Sequence, residues 1–198
     1  MNRRSWISRM FAAAVAVVAT VSTASAGLLP TQVSVVPDTG NYRWTYAIVL
    51  PTDSKLQAGN YFTIYDFNGY VAGSAVGPDA NWTVSVVNSG STPAVLNPVD
   101  DASIANLVFT YNGPTIPAGQ LGLGNFVGLS IYGDRKDADF TAETNRTSDG
   151  LKDSNITSTE VPVGEVNGVP EPATLALAGL ALPLLGLARL RRKAAVVA

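Results

Sequence analysis

The sequence predicts an all-β protein: an antiparallel β-sandwich of immunoglobulin-like or jelly-roll type, with an N-terminal signal helix and a C-terminal transmembrane helix. Three observations lead there. Between Leu28 and Val163, runs of β-branched and aromatic residues recur and are closed off by Gly, Pro and Asn turns. No stretch of about a dozen residues there has the apolar period of a helix. The long apolar runs are instead gathered at the two ends of the chain.

The strands justify themselves one by one. Tyr42–Leu50 is rich in aromatic and β-branched residues and stops at Pro51; Tyr61–Tyr65 reads likewise. After it comes Asp66-Phe67-Asn68-Gly69, whose Asn-Gly predicts a tight hairpin with Tyr70-Val71 as the returning strand. Trp82–Val87 alternates and ends at Asn88-Ser89-Gly90, and Leu107–Tyr111 ends at Asn112-Gly113-Pro114. Leu121–Tyr132 is longer, and Gly122, Gly124 and Gly128 within it predict a bulge or a close backbone approach. Glu143–Asn155 is polar and predicts a long loop, and Thr157–Val163 closes the sheet. About seven to nine strands at this spacing suit a sandwich.

The domain organisation follows from the ends. Arg3, Arg4 and Arg9 precede an apolar run from Met10 to Val21, and Ala24-Ser25-Ala26 offers small residues where a signal peptidase reads them. Residues 1–26 are therefore expected to be a secretory signal peptide cut between Ala26 and Gly27, leaving residues 27–164 as the β domain. Residues 165–172 form a linker, residues 173–188 a transmembrane segment and residues 189–198 a basic cytoplasmic tail. The apolar run Ala173–Ala188, 16 residues, spans about 24 Å as a helix, a little under the hydrocarbon core of about 30 Å. Snorkelling of Arg189, Arg191, Arg192 and Lys193 covers the shortfall, and the same cluster places the tail in the cytoplasm and the domain outside.

Pro170-Glu171-Pro172, the short apolar span and the basic cluster together resemble the PEP-CTERM sorting signal. The resemblance covers about 25 residues and implies cutting near Pro-Glu-Pro by an exosortase-type membrane enzyme, then release or transfer toward the cell surface. Ala194–Ala198, following the basic cluster, departs mildly from that pattern. Pro170 and Pro172 deny helix and hold an extended backbone just outside the membrane, as a processing enzyme requires.

Composition narrows the chemistry. Gly27–Gly168 contains six basic and fourteen acidic residues, a net charge of −8, which disfavours nucleic acid or an anionic lipid surface as partner. With neither Cys nor His in the sequence, thiol nucleophiles, Ser-His-Asp triads and zinc or copper sites built on Cys or His are excluded, and stability must come from the core. Asp134, Asp137 and Asp139 place three carboxylates in what reads as one loop, which leaves calcium open as a ligand against the plainer reading of a solvated loop that Arg135 and Lys136 partly neutralise. Asp100-Asp101 is a poor catalytic pair, because neighbours on an extended chain face opposite ways. Trp44, Trp82 and the tyrosines are expected in the core, with sugar stacking as the alternative. Asn81, Asn145 and Asn155 stand in Asn-x-Thr patterns that occur by chance in bacterial chains. The expected protein is non-enzymatic, without a cofactor unless calcium, and structural or adhesive at the cell surface or in an exopolysaccharide matrix. Its partners are a signal peptidase, an exosortase-type enzyme and the membrane through the tail; the alternative is a glycan-binding module using exposed aromatics.

Overall fold

A computed structural model describes residues 27–89 and 91–164. The signal peptide with Ala24 and Ala26, the linker with Pro170, Glu171 and Pro172, the transmembrane segment and the basic tail all lie outside these residues. Among the described residues no helix is long and apolar enough to cross a membrane.

Nine strands are formed among the described residues: β1 (Leu29–Asp38), β2 (Asn41–Leu50), β3 (Ser54–Lys55), β4 (Tyr61–Ile64), β5 (Trp82–Val87), β6 (Asn106–Tyr111), β7 (Leu121–Ser130), β8 (Arg135–Arg146) and β9 (Lys152–Pro162). Every pairing between them is antiparallel. One sheet has the order β1-β2-β7. In the other, β8 is flanked by β9 on one side and by β3 and β4 on the other, and β6 and β5 continue beyond β4.

A single core lies between the sheets. Along β2, Trp44, Tyr46, Ile48 and Leu50 are buried while Arg43, Thr45, Ala47 and Val49 face outward, the period of two that a one-sided sheet requires. Opposite them stand Phe62 and Ile64 of β4, Leu107 and Phe109 of β6, and Phe140 of β8. Phe62 stacks on Phe109, its partner across the β4–β6 ladder, and on Phe140, its diagonal neighbour on β8, with ring centroids 5.0 and 5.3 Å apart. Each such side chain contributes about 1.5–3 kcal/mol by leaving water. Pro30 and Pro37 sit in β1, the edge strand, where a missing N–H costs no ladder bond.

The glycines of β7 act as the sequence suggests. Register shifts between Ile48 and Val49, which face Gly124 and Gly122, so Leu123 is the extra residue of a bulge. Gly124 has φ +101°, and a Cβ there would lie 2.7 Å from Pro78.

Three local expectations are corrected. Tyr70-Val71 does not return against Tyr61–Tyr65; β4 pairs with β6 and β8, and the chain crosses to the other sheet, where Tyr70 bridges Ser130 and Val76 bridges Val127. The cause is burial: Tyr65 and Phe67 are fully covered, and the Phe67 ring packs edge-on against Trp44 at 6.2 Å, which a two-residue hairpin would forbid. Glu143–Asn155 is no long loop. Its residues close the β8–β9 hairpin around Thr147–Gly150, with Arg146 N–H donating to Leu151 O at 2.8 Å; the polar side chains belong to strands whose outer face meets water. The segment carrying Asp134, Asp137 and Asp139 is likewise strand from Arg135 onward, paired residue by residue with β9.

The chain enters and leaves at opposite ends. Gly27 lies against Asn155 and Gly164 against Asn68 and Tyr132. Along β9 this is a separation of roughly 25–30 Å at about 3.3 Å per residue.

Candidate functional site

A hydrogen-bonded polar cluster lies at the end from which the chain leaves for its tail. It is built on Asp66, where the chain leaves β4 with a left-handed φ of +54°. Asp tolerates that conformation because its short carboxylate bonds locally. Asp66 N–H donates to Asn106 Oδ1 at 2.9 Å, and Asp66 Oδ1 accepts the Asp101 N–H at 2.9 Å. Asn106 Nδ2 donates onward to Asp100 Oδ1 at 2.9 Å. The β8 side completes the cluster: Lys136 Nζ stands 3.6 Å from Asp66 Oδ2, and Asp139 Oδ2 accepts the Val99 N–H at 2.6 Å. Asp101 also accepts Ser103 through its hydroxyl and its N–H, and these bonds hold its carboxyl below the ordinary carboxylate value. The whole is a clamp that fixes the 99–106 segment against β4 and β8.

A cleft of about 330 Å³ opens beside the clamp, lined by Asp66, Val99, Lys136, Asp137, Ala138, Asp139 and Ser158. Of the three carboxylates singled out from sequence, Asp139 is engaged by Val99 N–H, Asp137 faces solvent, and Asp134 accepts Val163 N–H through its backbone carbonyl at 3.0 Å. Among the described residues no three acidic side chains converge where a metal ion could be held. Asp100 and Asp101 engage separate partners, Asn106 and Ser103.

The aromatic residues divide sharply. Trp44 is fully buried, with Nε1 donating to Tyr132 O at 3.0 Å and the Arg135 guanidinium 6.0 Å from its ring centroid. Trp82 packs on Tyr111 and Phe126 within the core. Neither ring offers a face to a sugar, which corrects the stacking alternative for both tryptophans. Among the described residues Tyr42 is the aromatic left exposed at the surface; with Ile131, Tyr132, Gly133, Asp134 and Val163 it lines a groove of about 250 Å³ beside the exit to the tail. Two Asn-x-Thr asparagines are occupied by the fold: Asn145 bonds Asn60 and Gly150 O, and Asn155 bonds Leu28 O.

Sequence reading did not find the clamp. Asp66, Asp101, Asn106, Lys136 and Asp139 lie on three separate segments; the sequence singled out Asp66 as a turn residue, Asp101 as half of a poor catalytic pair and Asp139 as a calcium candidate, and none of them for the contacts it makes here.

Comparison with known proteins adds a single finding for the tail. The PEP-CTERM protein-sorting motif matches residues 168–193, which take in Pro170, Glu171, Pro172, the apolar run and the cluster from Arg189 to Lys193. No curated protein matches the chain. The chain thus carries a PEP-CTERM protein-sorting motif behind an all-β domain, and the motif implies an exported protein with a C-terminal membrane-anchor step and processing by an exosortase.

Proposed function

We propose that this is a non-enzymatic surface or matrix protein of an exopolysaccharide-producing bacterium. A signal peptidase removes residues 1–26, the segment 173–188 holds the chain in the inner membrane, and an exosortase-type enzyme cuts near Pro170-Glu171-Pro172. The released β domain then contributes to structure or adhesion. The sorting motif carries the reading. The domain supports it: among the described residues five cations are ion-paired, to Asp38, Glu160, Asp66, Asp149 and Glu143, so the excess acidic residues give the surface a negative charge. Such a surface stays soluble and discourages binding to anionic polymers while leaving neutral glycans and basic partners open.

The strand order supports reading the fold as immunoglobulin-like rather than jelly-roll. The order β1-β2-β7 follows strands A, B and E of that fold, and β9-β8-β4 follows G, F and C, with β6 and β5 added beside the last. Domains of this architecture commonly serve as extracellular spacers and adhesive units, which is an argument from fold alone.

A second reading, glycan binding, is favoured by the exposed Tyr42 and its groove with Tyr132. Replacing Pro170, Glu171 and Pro172 together by Ala in the producing cell tests the first reading: the chain is expected to stay in the membrane fraction. Normal release of that variant would remove it. A glycan array run with calcium and with chelator tests the second, and signal lost in Tyr42→Ala is the outcome it requires.

A further inference from the structure

Where the chain enters the fold, two acceptors stand without donors among the described residues. Gly27 and Leu28 are buried at the start of the domain. From β9, Asn155 Nδ2 donates to Leu28 O at 3.2 Å. Its Oδ1 is shielded from solvent and has no partner, and it lies 2.3 Å from the point a Cβ on Gly27 would occupy. Two residues earlier on the same face of β9, Asp153 Oδ2 is also shielded and unpaired, while Asp153 Oδ1 accepts the Ser154 N–H at 3.1 Å. Buried acceptors are almost always satisfied in native structures, so two beside one chain entry call for a donor.

The direction of the chain says which donor. β1 and β9 advance together: Leu28 is tied to Asn155, and Pro30–Val33 share a groove with Ser158–Glu160. Gly27, one residue before Leu28, therefore stands on the Asp153 side of Asn155. We propose that Asn155 Oδ1 and Asp153 Oδ2 form a receptor for the α-ammonium of Gly27, created when signal peptidase cuts after Ala26. The proposal rests on the export reading through the position of that cut. Hydrolysis adds water across the Ala26–Gly27 bond, leaving a carboxylate on Ala26 and an amine on Gly27 that takes up a proton.

A peptide N–H and an ammonium differ in what they can reach. The peptide offers one donor in a fixed direction and no charge. The ammonium offers three donors that rotate, and it is largely protonated at neutral pH, where an α-amine has a pKa of about 7.7–8.0. Asp153 supplies the opposite charge and Asn155 a neutral acceptor, and hydrogen bonds between charged groups are the strong ones. Gly27 is the residue that suits the place, since any Cβ would displace the Asn155 amide. The consequence is a domain completed by its own maturation: less stable while the signal peptide is attached, when the chain must cross the membrane unfolded, and locked afterwards.

The test compares residues 27–198 in detergent micelles, prepared from a removable fusion that leaves Gly27 first, with the same chain keeping Ser25 and Ala26. Urea unfolding is followed by the fluorescence of Trp44 and Trp82, both buried. The unfolding equilibrium constant of the free-Gly27 chain is expected to be smaller by about tenfold or more. Asp153→Asn should erase most of that difference by weakening the free-Gly27 chain while leaving the extended chain unchanged. Equal stability of the two chains, or an equal effect of Asp153→Asn on both, would overturn the receptor. N-terminal sequencing of the native membrane-bound protein separates this from the export reading: a first residue other than Gly27 overturns the assigned cut, whatever the stabilities.

Discussion

Phe62 of β4 meets Phe126 of β7 edge to face, with ring centroids 4.8 Å apart and planes at 85°. That contact joins the two sheets, because Phe62 is already stacked between Phe109 and Phe140 of its own sheet and Phe126 also meets Trp82 and Phe109. Phe126→Ala is expected to lower the free energy of unfolding by about 3–5 kcal/mol, and Phe62→Ala by a similar amount. The double variant should cost less than the sum of the two, since both remove the same contact. Urea denaturation measures all three.

Asp66 combines a left-handed backbone with a carboxylate that accepts a loop N–H. Asp66→Ala strains the backbone and leaves the Asp101 N–H without its acceptor, for a loss of about 2–4 kcal/mol. Asp66→Asn keeps an acceptor and tolerates the conformation; it loses only the ion pair to the partly exposed Lys136, a cost of about 1 kcal/mol or less. Hydrogen exchange of the 99–106 amides should rise in the Ala variant and barely change in the Asn variant.

Two neighbouring glycines of β7 should respond differently to the same change. At Gly124 a Cβ meets Pro78 and φ is +101°, whereas at Gly122 nothing lies within 4 Å. Gly124→Ala is expected to cost about 2 kcal/mol or more, and Gly122→Ala less than about 0.5 kcal/mol. Thermal unfolding of the two variants side by side checks this.

Burial, with the Glu143 charge as the second cause, pushes the Tyr61 phenol from 10.0 up to about 12. A raised folded value gives a contribution to stability that is fully present below the unfolded value of 10.0 and is lost as pH rises through about 12. The urea midpoint should therefore fall across that window. In Tyr61→Phe, which cannot ionise, the fall should be smaller. Phenolate absorbance recorded in parallel reports when the ring ionises.

The strands legible in the sequence were those with a buried face. Trp82–Val87 is β5 to the residue, and Tyr42–Leu50 is β2 short of its first residue, because alternating aromatic and β-branched residues encode both the strand and its inward side. The β8–β9 hairpin was hidden because Glu143, Asn145 and Arg146 lie on its more exposed positions, where nothing selects apolar residues. The Asn68-Gly69 signal misled for a tertiary reason: Tyr65 and Phe67 gain more by entering the core than a hairpin offers. The clamp joins residues distant in sequence, so no spacing could announce it, whereas the sorting tail is contiguous and needs no fold to be read.

The central claim, export followed by sorting at the Pro-Glu-Pro motif, is tested most directly by the intact mass of the native protein from spent medium, cell surface and membrane fractions. The account predicts a surface or medium species that begins at Gly27 and ends near Pro170-Glu171-Pro172. A species that keeps Ala173–Ala198 and is confined to the inner membrane would contradict it.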